Sequence, residues 1–391
     1  MEEWKTFRIG DICESVSDTY RRGSASVVLV NTSDVLDGVC LNHTRVQNKD
    51  LKGQFKKTFK KDDILYSEIR PANKRFAYID FDPIDYIAST KLMVIRSSDK
   101  VRPRYLYHFL KRQEMLDELQ ALAESRSGTF PQITFSELAL FEIKLPSLET
   151  QDRIVAAIDS FEYKIALNNR INHNLEEQSQ ALYKSWFVDF EPFKDDKFVD
   201  SELGMIPEGW KVLPFSAFVQ ISNEKVDSKH IPEFSVTNTG IFPRDAKFNK
   251  RLSSSSLTNK VIRKGDLVFG MSREILNWGI MDEVIGGVSS AYTVYKIEKH
   301  IIDENYLRSY IQHHIGYFKD LIKPAAREGQ GIDKKVLASK MAIIPEESIW
   351  NGFQKKVNSI IAAKRQLMNQ TEQLAKLRDE MLPILMGRKA V

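Results

Sequence analysis

Lys61-Asp62-Asp63-Ile64-Leu65-Tyr66, followed by Arg70, and Lys264-Gly265-Asp266-Leu267-Val268-Phe269, followed by Arg273, are two versions of one pattern. The match does not stand alone. Trp4-Lys5-Thr6-Phe7 has a counterpart in Trp210-Lys211-Val212-Leu213, Tyr105-Leu106 in Tyr306-Leu307, and Arg126-Ser127-Gly128 in Arg327-Glu328-Gly329. All four pairs keep the same order and lie roughly 200 residues apart, the signature of a tandem duplication. A chain of 391 residues exceeds what one ordinary core holds, so a division is expected on size alone.

Each copy divides again. Ser26–Val30, Lys91–Ile95 and Asp266–Phe269 are short, apolar and rich in β-branched or aromatic residues, which predicts strands. Between Tyr105 and Ala123, and again between Tyr306 and Ile322, apolar residues recur at helical spacing. The fold class is therefore α+β. After Leu145-Pro146 the period becomes seven, with Ile154, Ile158, Phe161, Ile165, Leu175, Leu182 and Trp186 on one seam and Asn168, Asn172 and Ser179 filling its remaining positions. Polar residues at such positions lower stability while fixing register and partner. After Ile344-Pro345 the pattern returns through Val357, Ile360, Leu367, Leu374, Met381 and Leu385, interrupted by Lys364, Thr371 and Arg378, with Asn351 and Gln354 offering a capping-box start.

The two helices are read as an antiparallel coiled-coil pair joining two pseudo-symmetric globular domains, although two independent surface helices would show the same seams. The expected boundaries are residues 1–146 and 210–345 for the globular domains, 147–190 and 346–391 for the helices, and a linker at 191–209 containing Pro192, Gly204 and Pro207. A helix from about Thr150 to Phe187 spans roughly 55 Å at 1.5 Å per residue. That length suits a spacer, because duplex half-sites one turn apart lie about 34–36 Å from one another.

Composition bounds the function. The apolar fraction is 42%, ample for packed cores, and no apolar run reaches the length of a membrane span. The N-terminal Met1-Glu2-Glu3-Trp4-Lys5 lacks the basic and apolar regions of a signal peptide, so a cytoplasmic location is expected. Cys13 and Cys40 then read as two buried free thiols. A net charge of +4 does not announce a nucleic-acid binder, but the cations bunch. Clusters fall at Lys52, Lys56, Lys57, Lys60 and Lys61, at Arg70, Lys74 and Arg75, and at Lys247, Lys250, Arg251, Lys260, Arg263 and Lys264.

No catalytic constellation is found. The chain has neither a Gly-x-x-x-x-Gly-Lys phosphate loop nor a Gly-x-Gly-x-x-Gly turn, and Asp82-Pro83 lacks the second proline and the aromatic residue of an amino-methyltransferase loop. The histidines show no metal-ligand spacing with the cysteines, and His313-His314 sits on a predicted helix where adjacent side chains diverge. Glu142-Ile143-Lys144 has no paired aspartate just upstream and reads as a half-buried strand. What remains are polar loops at matched places in the two copies. Glu68–Arg75 supplies Arg70, Asn73, Lys74 and Arg75, and its counterpart Ser272–Trp278 supplies Arg273 and Asn277. A second pair supplies Arg126, Ser127, Gly128, Thr129 and Gln132 in one copy and Arg327, Gln330 and Lys334 in the other. Arginine and asparagine can make the bidentate contacts that distinguish guanine and adenine, and glycine permits close backbone approach to phosphate.

Three stretches also carry a family resemblance. Gln151–Val155 running on to Leu175–Phe190 resembles the central conserved region of type I restriction-modification specificity subunits, Gly204–Trp210 resembles the segment that introduces their second target-recognition domain, and Leu374–Met386 resembles their C-terminal region. The resemblance covers the chain in the right order. It implies two target-recognition domains that each read half of a split site in double-stranded DNA. It also implies two modification subunits docked on the helices, which bind S-adenosylmethionine and methylate adenine, and restriction subunits that use ATP and Mg. Chemistry then belongs to the partners, and no cofactor or metal is expected on this chain. Two other readings remain open from the residues alone: an assembly scaffold whose basic loops meet acidic partners, and a solitary nuclease or methyltransferase with unfamiliar motifs.

Overall fold

The Lys61-Asp62-Asp63 and Lys264-Gly265-Asp266 motifs make the same turn. Asp62 and Gly265 take left-handed backbone at φ 72° and 87°, and the aspartate after each accepts from the backbone N–H three residues back, Lys60 to Asp63 and Arg263 to Asp266, both at 2.8 Å. The side chain thus closes the turn and delivers the chain into a buried strand, Ile64–Ser67 or Leu267–Ser272. Asp63 is almost wholly buried and receives two bonds from Arg96 at 2.9 and 2.7 Å, a charge pair satisfied in the geometry that makes burial tolerable.

The computed structural model describes residues 4–21, 23–49, 53–126, 129–227, 231–244, 258–272, 275–322 and 331–387. Two compact units form, one from Met1–Asn168 with Asn369–Val391 and one from Asn169–Met368. Their frameworks share an edge strand pair, a four-stranded sheet and the helix after it, while a second four-stranded sheet in the first unit is replaced by two separate strand pairs in the second. Lys5–Arg8 pairs antiparallel with Glu142–Leu145 in the first, and Lys211–Pro214 with Met341–Ile344 in the second. A four-stranded antiparallel sheet follows in each. In the first its order is Cys13–Val16, Leu92–Ser97, Ile64–Ser67, Phe76–Tyr78, and in the second Val219–Ser222, Thr293–Ile297, Leu267–Ser272, Ile275–Ile280. Helices Pro103–Leu110 and Glu304–His313 carry the matched tyrosines, and both rings are buried. Tyr105 Oη donates to the Lys144 carbonyl at 3.5 Å and Tyr306 Oη to the Ile343 carbonyl at 2.7 Å. One buried phenol therefore ties the same helix to the same strand twice, which is why this pair of residues survives in both copies.

Differences lie at element ends. The apolar period after Tyr306 is helical only to His313 and continues as a 3-10 segment, Ile315–Leu321. In the first copy the corresponding stretch is the full helix Gln113–Arg126. His313 and His314 do not diverge: their rings lie 4.9 Å apart and both pack against Tyr183. Both cysteines are buried and free, and burial pushes their thiols up to about 12 for Cys13 and about 11 for Cys40. No helix among the described residues is long and apolar enough to cross a membrane.

The two long helices are Leu148–Phe187 and Glu347–Leu385. The second starts before Asn351 and Gln354, which are therefore interior residues and not a cap. Gln354 donates instead to Asp303 at 3.0 Å. The helices pair antiparallel within each unit. In the first, Ile154 and Ile158 share a core with Leu382 and Met386, and Asn168 Nδ2 donates to Gln370 Oε1 at 3.0 Å. In the second, Trp186 meets Phe353 at 6.0 Å and Lys364 pairs with Glu176. Ile154, Ile158 and Val357 are buried, and Phe161, Ile165, Leu175, Leu182, Trp186, Ile360, Leu367 and Leu374 are half-buried. Met381 departs from the predicted seam. It is 37% exposed, and Leu382 takes the buried place, because a straight helix of 3.6 residues per turn drifts away from a strict seven-residue repeat.

An ion network fastens the first long helix to its unit. Arg104 reaches Asp159 at 3.0 Å and Glu162 at 3.3 Å, Lys111 pairs with Glu162, and the fully buried His108 meets Asp159 through Nε2 at 2.8 Å. Burial holds the His108 pKa below its usual value against the opposing pull of Asp159, with the Lys111 ammonium adding to the depression. The folded protein therefore resists a proton that the unfolded chain accepts near pH 6.5, and stability falls as pH drops below about 6.5. Denaturant unfolding at pH 7.5, 6.5 and 5.5 is expected to show this decline, with a shallower one in His108→Asn. An identical slope in the variant would place its origin elsewhere.

Candidate nucleic-acid interface

Arg70 and Lys74 flank the 3-10 turn Pro71–Asn73, and both have left-handed backbone, at φ 45° and 53°. Neither residue type favours it, and Arg70 is further restricted by the proline that follows. Left-handed backbone costs a side-chain-bearing residue about 1–2 kcal/mol. The surroundings hold it in place. Arg70 N–H donates to the Pro131 carbonyl at 3.1 Å, and Ala72 N–H to Gln120 Oε1 at 3.1 Å. Asn73 and Lys74 N–H close on the Arg70 and Pro71 carbonyls, both at 2.9 Å. Ile69 forms a bridge with Gln132, and Ile133 N–H donates to the Glu68 carbonyl at 2.8 Å. The two loops singled out in the first copy, far apart in sequence, thus lie edge to edge.

Their side chains divide by task. Arg70, Asn73 and Thr129 are exposed, and Lys74 is half-buried. Arg70 Nη2 lies 3.4 Å from the Thr129 carbonyl, a weak tether. Gln132 accepts from Lys91 Nζ at 3.0 Å, and that ammonium also faces Glu68 at 3.6 Å. Arg75 is committed to the framework, with Nη1 donating to the Ser33 carbonyl at 2.9 Å. Arg126 ends the helix Gln113–Arg126 and pairs with Glu137 at 2.7 Å. Ser127 and Gly128 lie outside the described residues, as do Arg273, Arg327 and Gln330 of the second copy.

In the second unit Asn277 is not on a loop. The strands Leu267–Ser272 and Ile275–Ile280 pair with Ser272 opposite Ile275, so Asn277 stands inside a strand and is 5% exposed. Its Nδ2 donates to Ser272 Oγ at 3.1 Å. Lys334 is exposed at the start of the helix Lys334–Ser339, whose cap Asp333 accepts from the N–H groups of Lys335 and Val336.

Sequence reasoning passes over two lysines of the basic clusters. Lys57 Nζ donates to the Thr90 and Leu92 carbonyls at 3.0 and 2.8 Å, and Lys260 Nζ to the Tyr292 carbonyl at 2.6 Å. Both ammonium groups therefore cap the chain just before the central strand, at matched places in the two units. Burial pushes both pKa values down. Glu68 opposes this at Lys57 while Lys91 adds to it, and Lys334 adds to it at Lys260. The signal that could have found them is the pairing of 57 with 260 across the repeat.

What the arrangement can do chemically is bind. It offers guanidinium, ammonium and amide donors on a backbone too constrained to move with them, which suits phosphate oxygens and base edges. Among the described residues, one histidine–carboxylate group has metal-like spacing, His108 with Asp159 and Glu162. Arg104 and Lys111 already occupy those carboxylates.

Residues 1–177 match the model of the type I restriction modification DNA specificity domain. The chain is 45% identical over 197 residues to the specificity subunit of the type I restriction enzyme HindI from Haemophilus influenzae, a match covering 50% of this chain and 43% of that protein. It is 26% identical over 328 residues to the MjaIX specificity subunit of Methanocaldococcus jannaschii, covering 78% of this chain and 74% of the relative. The crystal structure of the type I restriction-modification system S subunit from M. genitalium shares the fold, with a TM-score of 0.58 at 12% identity over 100% of this chain and 97% of that one.

The strain at Arg70 is directly measurable. Arg70→Gly is expected to fold with stability equal to or up to about 1 kcal/mol above the native protein, while Arg70→Val, β-branched, loses roughly 2 kcal/mol. Equal losses in the two variants by denaturant unfolding would show that the left-handed backbone is not strained.

Proposed function

We propose that this chain, whose residues 1–177 belong to the type I restriction modification DNA specificity family, reads a bipartite sequence in double-stranded DNA and directs adenine methylation and restriction by partner subunits. Residues 1–146 and 210–345 each read one half of the site. The helices at 147–190 and 346–391, with the linker 191–209, set the gap and receive two modification subunits. S-adenosylmethionine is bound by those subunits, ATP and Mg by the restriction subunits, and the complex works in the cytoplasm. This chain carries no catalytic group of its own.

One observation carries the reading. The edge strand pair and the four-stranded antiparallel sheet are repeated in both copies, yet the chemistry following the matched strands differs: Arg70-Pro71-Ala72-Asn73-Lys74 in one copy and Arg273-Glu274-Ile275-Leu276-Asn277 in the other. A duplicated enzyme would need the same groups at both places. A duplicated reader of an asymmetric site needs them to differ. Arg70, Asn73, Lys74, Thr129 and Gln132 are the proposed contacts of the first half. Arg126, Ser127 and Gly128 are expected beside them, with Arg75 as a brace. Arg273, Asn277, Arg327, Gln330 and Lys334 are those of the second half.

Co-expression with modification subunits, followed by mapping of methylated adenines across the host genome, is expected to give a single two-part motif with a fixed gap. A complex that forms without sequence-specific methylation would sink the reading. Affinity should also fall steeply with salt, and Arg70→Ala should either relax one base position of the first half or make the salt dependence shallower by about one unit.

A further inference from the structure

The second unit contains a hollow of about 310 Å³ that the loop-based reading leaves unused. Ser235, Val236 and Thr237 come to it from the strand Phe234–Thr237, Asn238 from the turn after it, and Arg244 from just past the paired strand Gly240–Pro243. Ser272, Ile275 and Asn277 come from the paired strands Leu267–Ser272 and Ile275–Ile280. Tyr292 completes the wall.

Glycine makes the hollow possible. A Cβ on Gly270 would stand 2.1 Å from the Tyr292 ring, so only glycine lets that ring lie against the strand. Tyr292 Oη then donates to the Val236 carbonyl at 3.3 Å and closes the back of the space. Two polar side chains are held in the wall by neighbours: Asn277 through Ser272, and Arg244 through Ser235 Oγ at 2.8 Å. A strand position 5% exposed ordinarily takes an apolar residue, since an amide there must be fully bonded to avoid a desolvation cost. Two asparagines, an arginine and the hydroxyls of Ser235, Thr237, Ser272 and Tyr292 around one open space form instead the wall that a polar ligand requires.

The donor set selects the ligand. The one charged side chain among the described residues lining the hollow is the Arg244 cation, and none is a carboxylate to accept from the cytosine amino group. Arginine and asparagine lining one hollow match the major-groove edge of a purine, which offers N7 with either O6 or N6. We infer that this hollow receives the edge of one purine in the second half of the site, making Asn277, Arg244 and the exposed Asn238 specificity-determining residues and Gly270 a positioning residue for Tyr292. This rests on the DNA-reading function proposed above.

The test uses the full chain in complex with its modification subunits and a library of duplexes randomised through both half-sites. Asn277→Ala, Arg244→Lys and Asn238→Ala are each compared with the native complex. The expected result is a loss of about 10-fold in discrimination at one purine position of the second half, with selection in the first half unchanged. That unchanged half also verifies that the variants are folded, and should Asn277→Ala fail to fold, the two more exposed positions decide. Native preference throughout the second half in Arg244→Lys and Asn238→Ala overturns the inference. So does a uniform fall in affinity without change of preference, since that marks a phosphate contact. If the native complex selects no sequence at all, the reading itself falls. If it selects a two-part site that the variants leave intact, the reading stands and the hollow alone is excluded.

Discussion

Helices of 40 and 39 residues cannot be held by local hydrogen bonding, because helix stability in water comes chiefly from packing an apolar face. Each therefore has to be anchored where it enters a globular core. In the first unit the anchors are Ile154 and Ile158 with Leu382 and Met386, and in the second Tyr183, Phe187, Phe353 and Val357. Tyr183 and Phe187 belong to a run of aromatic rings that includes Tyr306 and Trp210, with Phe187 and Tyr306 only 4.7 Å apart. The remainder of the seam is half-buried and punctuated by polar groups. Apolar burial thus supplies the anchoring, and the Asn168–Gln370 bond supplies register.

This division accounts for what was legible in the sequence. The repeat was readable because its matched residues do the same physical work in both copies: the aspartate that closes a turn, the tyrosine that ties a helix to a strand, the short edge strand after the tryptophan. The heptads were readable because apolar residues at alternating steps of three and four line one face of a helix, whereas on a strand they would scatter over both faces. Met381 was misplaced because a seam counted in sevens accumulates drift by the end of a long helix, while Leu382 answers to the globular core beside it. Asn351 and Gln354 were misread as a cap because Trp350 and Phe353, which lie in the first turns of the helix, belong to that unit's core and not to the heptad.

The sequence named the candidate residues of the loops but not how the structure arranges them. That Glu68–Arg70 and Pro131–Ile133 lie edge to edge follows from backbone bonds across a long sequence separation, which no spacing rule reveals. Arg75 looked equivalent to Arg70 in sequence, yet it points its guanidinium at the Ser33 carbonyl. Asn277 looked like a turn residue beside Arg273. Composition made the whole of Ser272–Trp278 look like a loop, but Ile275 to Trp278 are strand residues, and the Leu276 and Trp278 side chains pack into the core.

A deeper asymmetry follows from where the strain lies. In the first unit, positive φ falls on the arginine and lysine at the ends of the 70–74 turn, with no glycine to relieve it. In the framework, the corresponding freedom is given to residues that tolerate it: Gly265 in one turn, and Asp62 in the other with its carboxylate bonded to Tyr78 at 2.6 Å. Within these two turns of the first unit, the strain thus falls on two cationic residues at 70 and 74, and the turn that leads into the buried strand uses a residue that tolerates it. Because the turn is held by backbone and framework groups, namely the Pro131 carbonyl, the Gln120 amide and the Glu68 carbonyl, side chains at 70, 73 and 74 can change without dismantling it. A scaffold built in this way lets the two copies diverge in what they contact while remaining one fold.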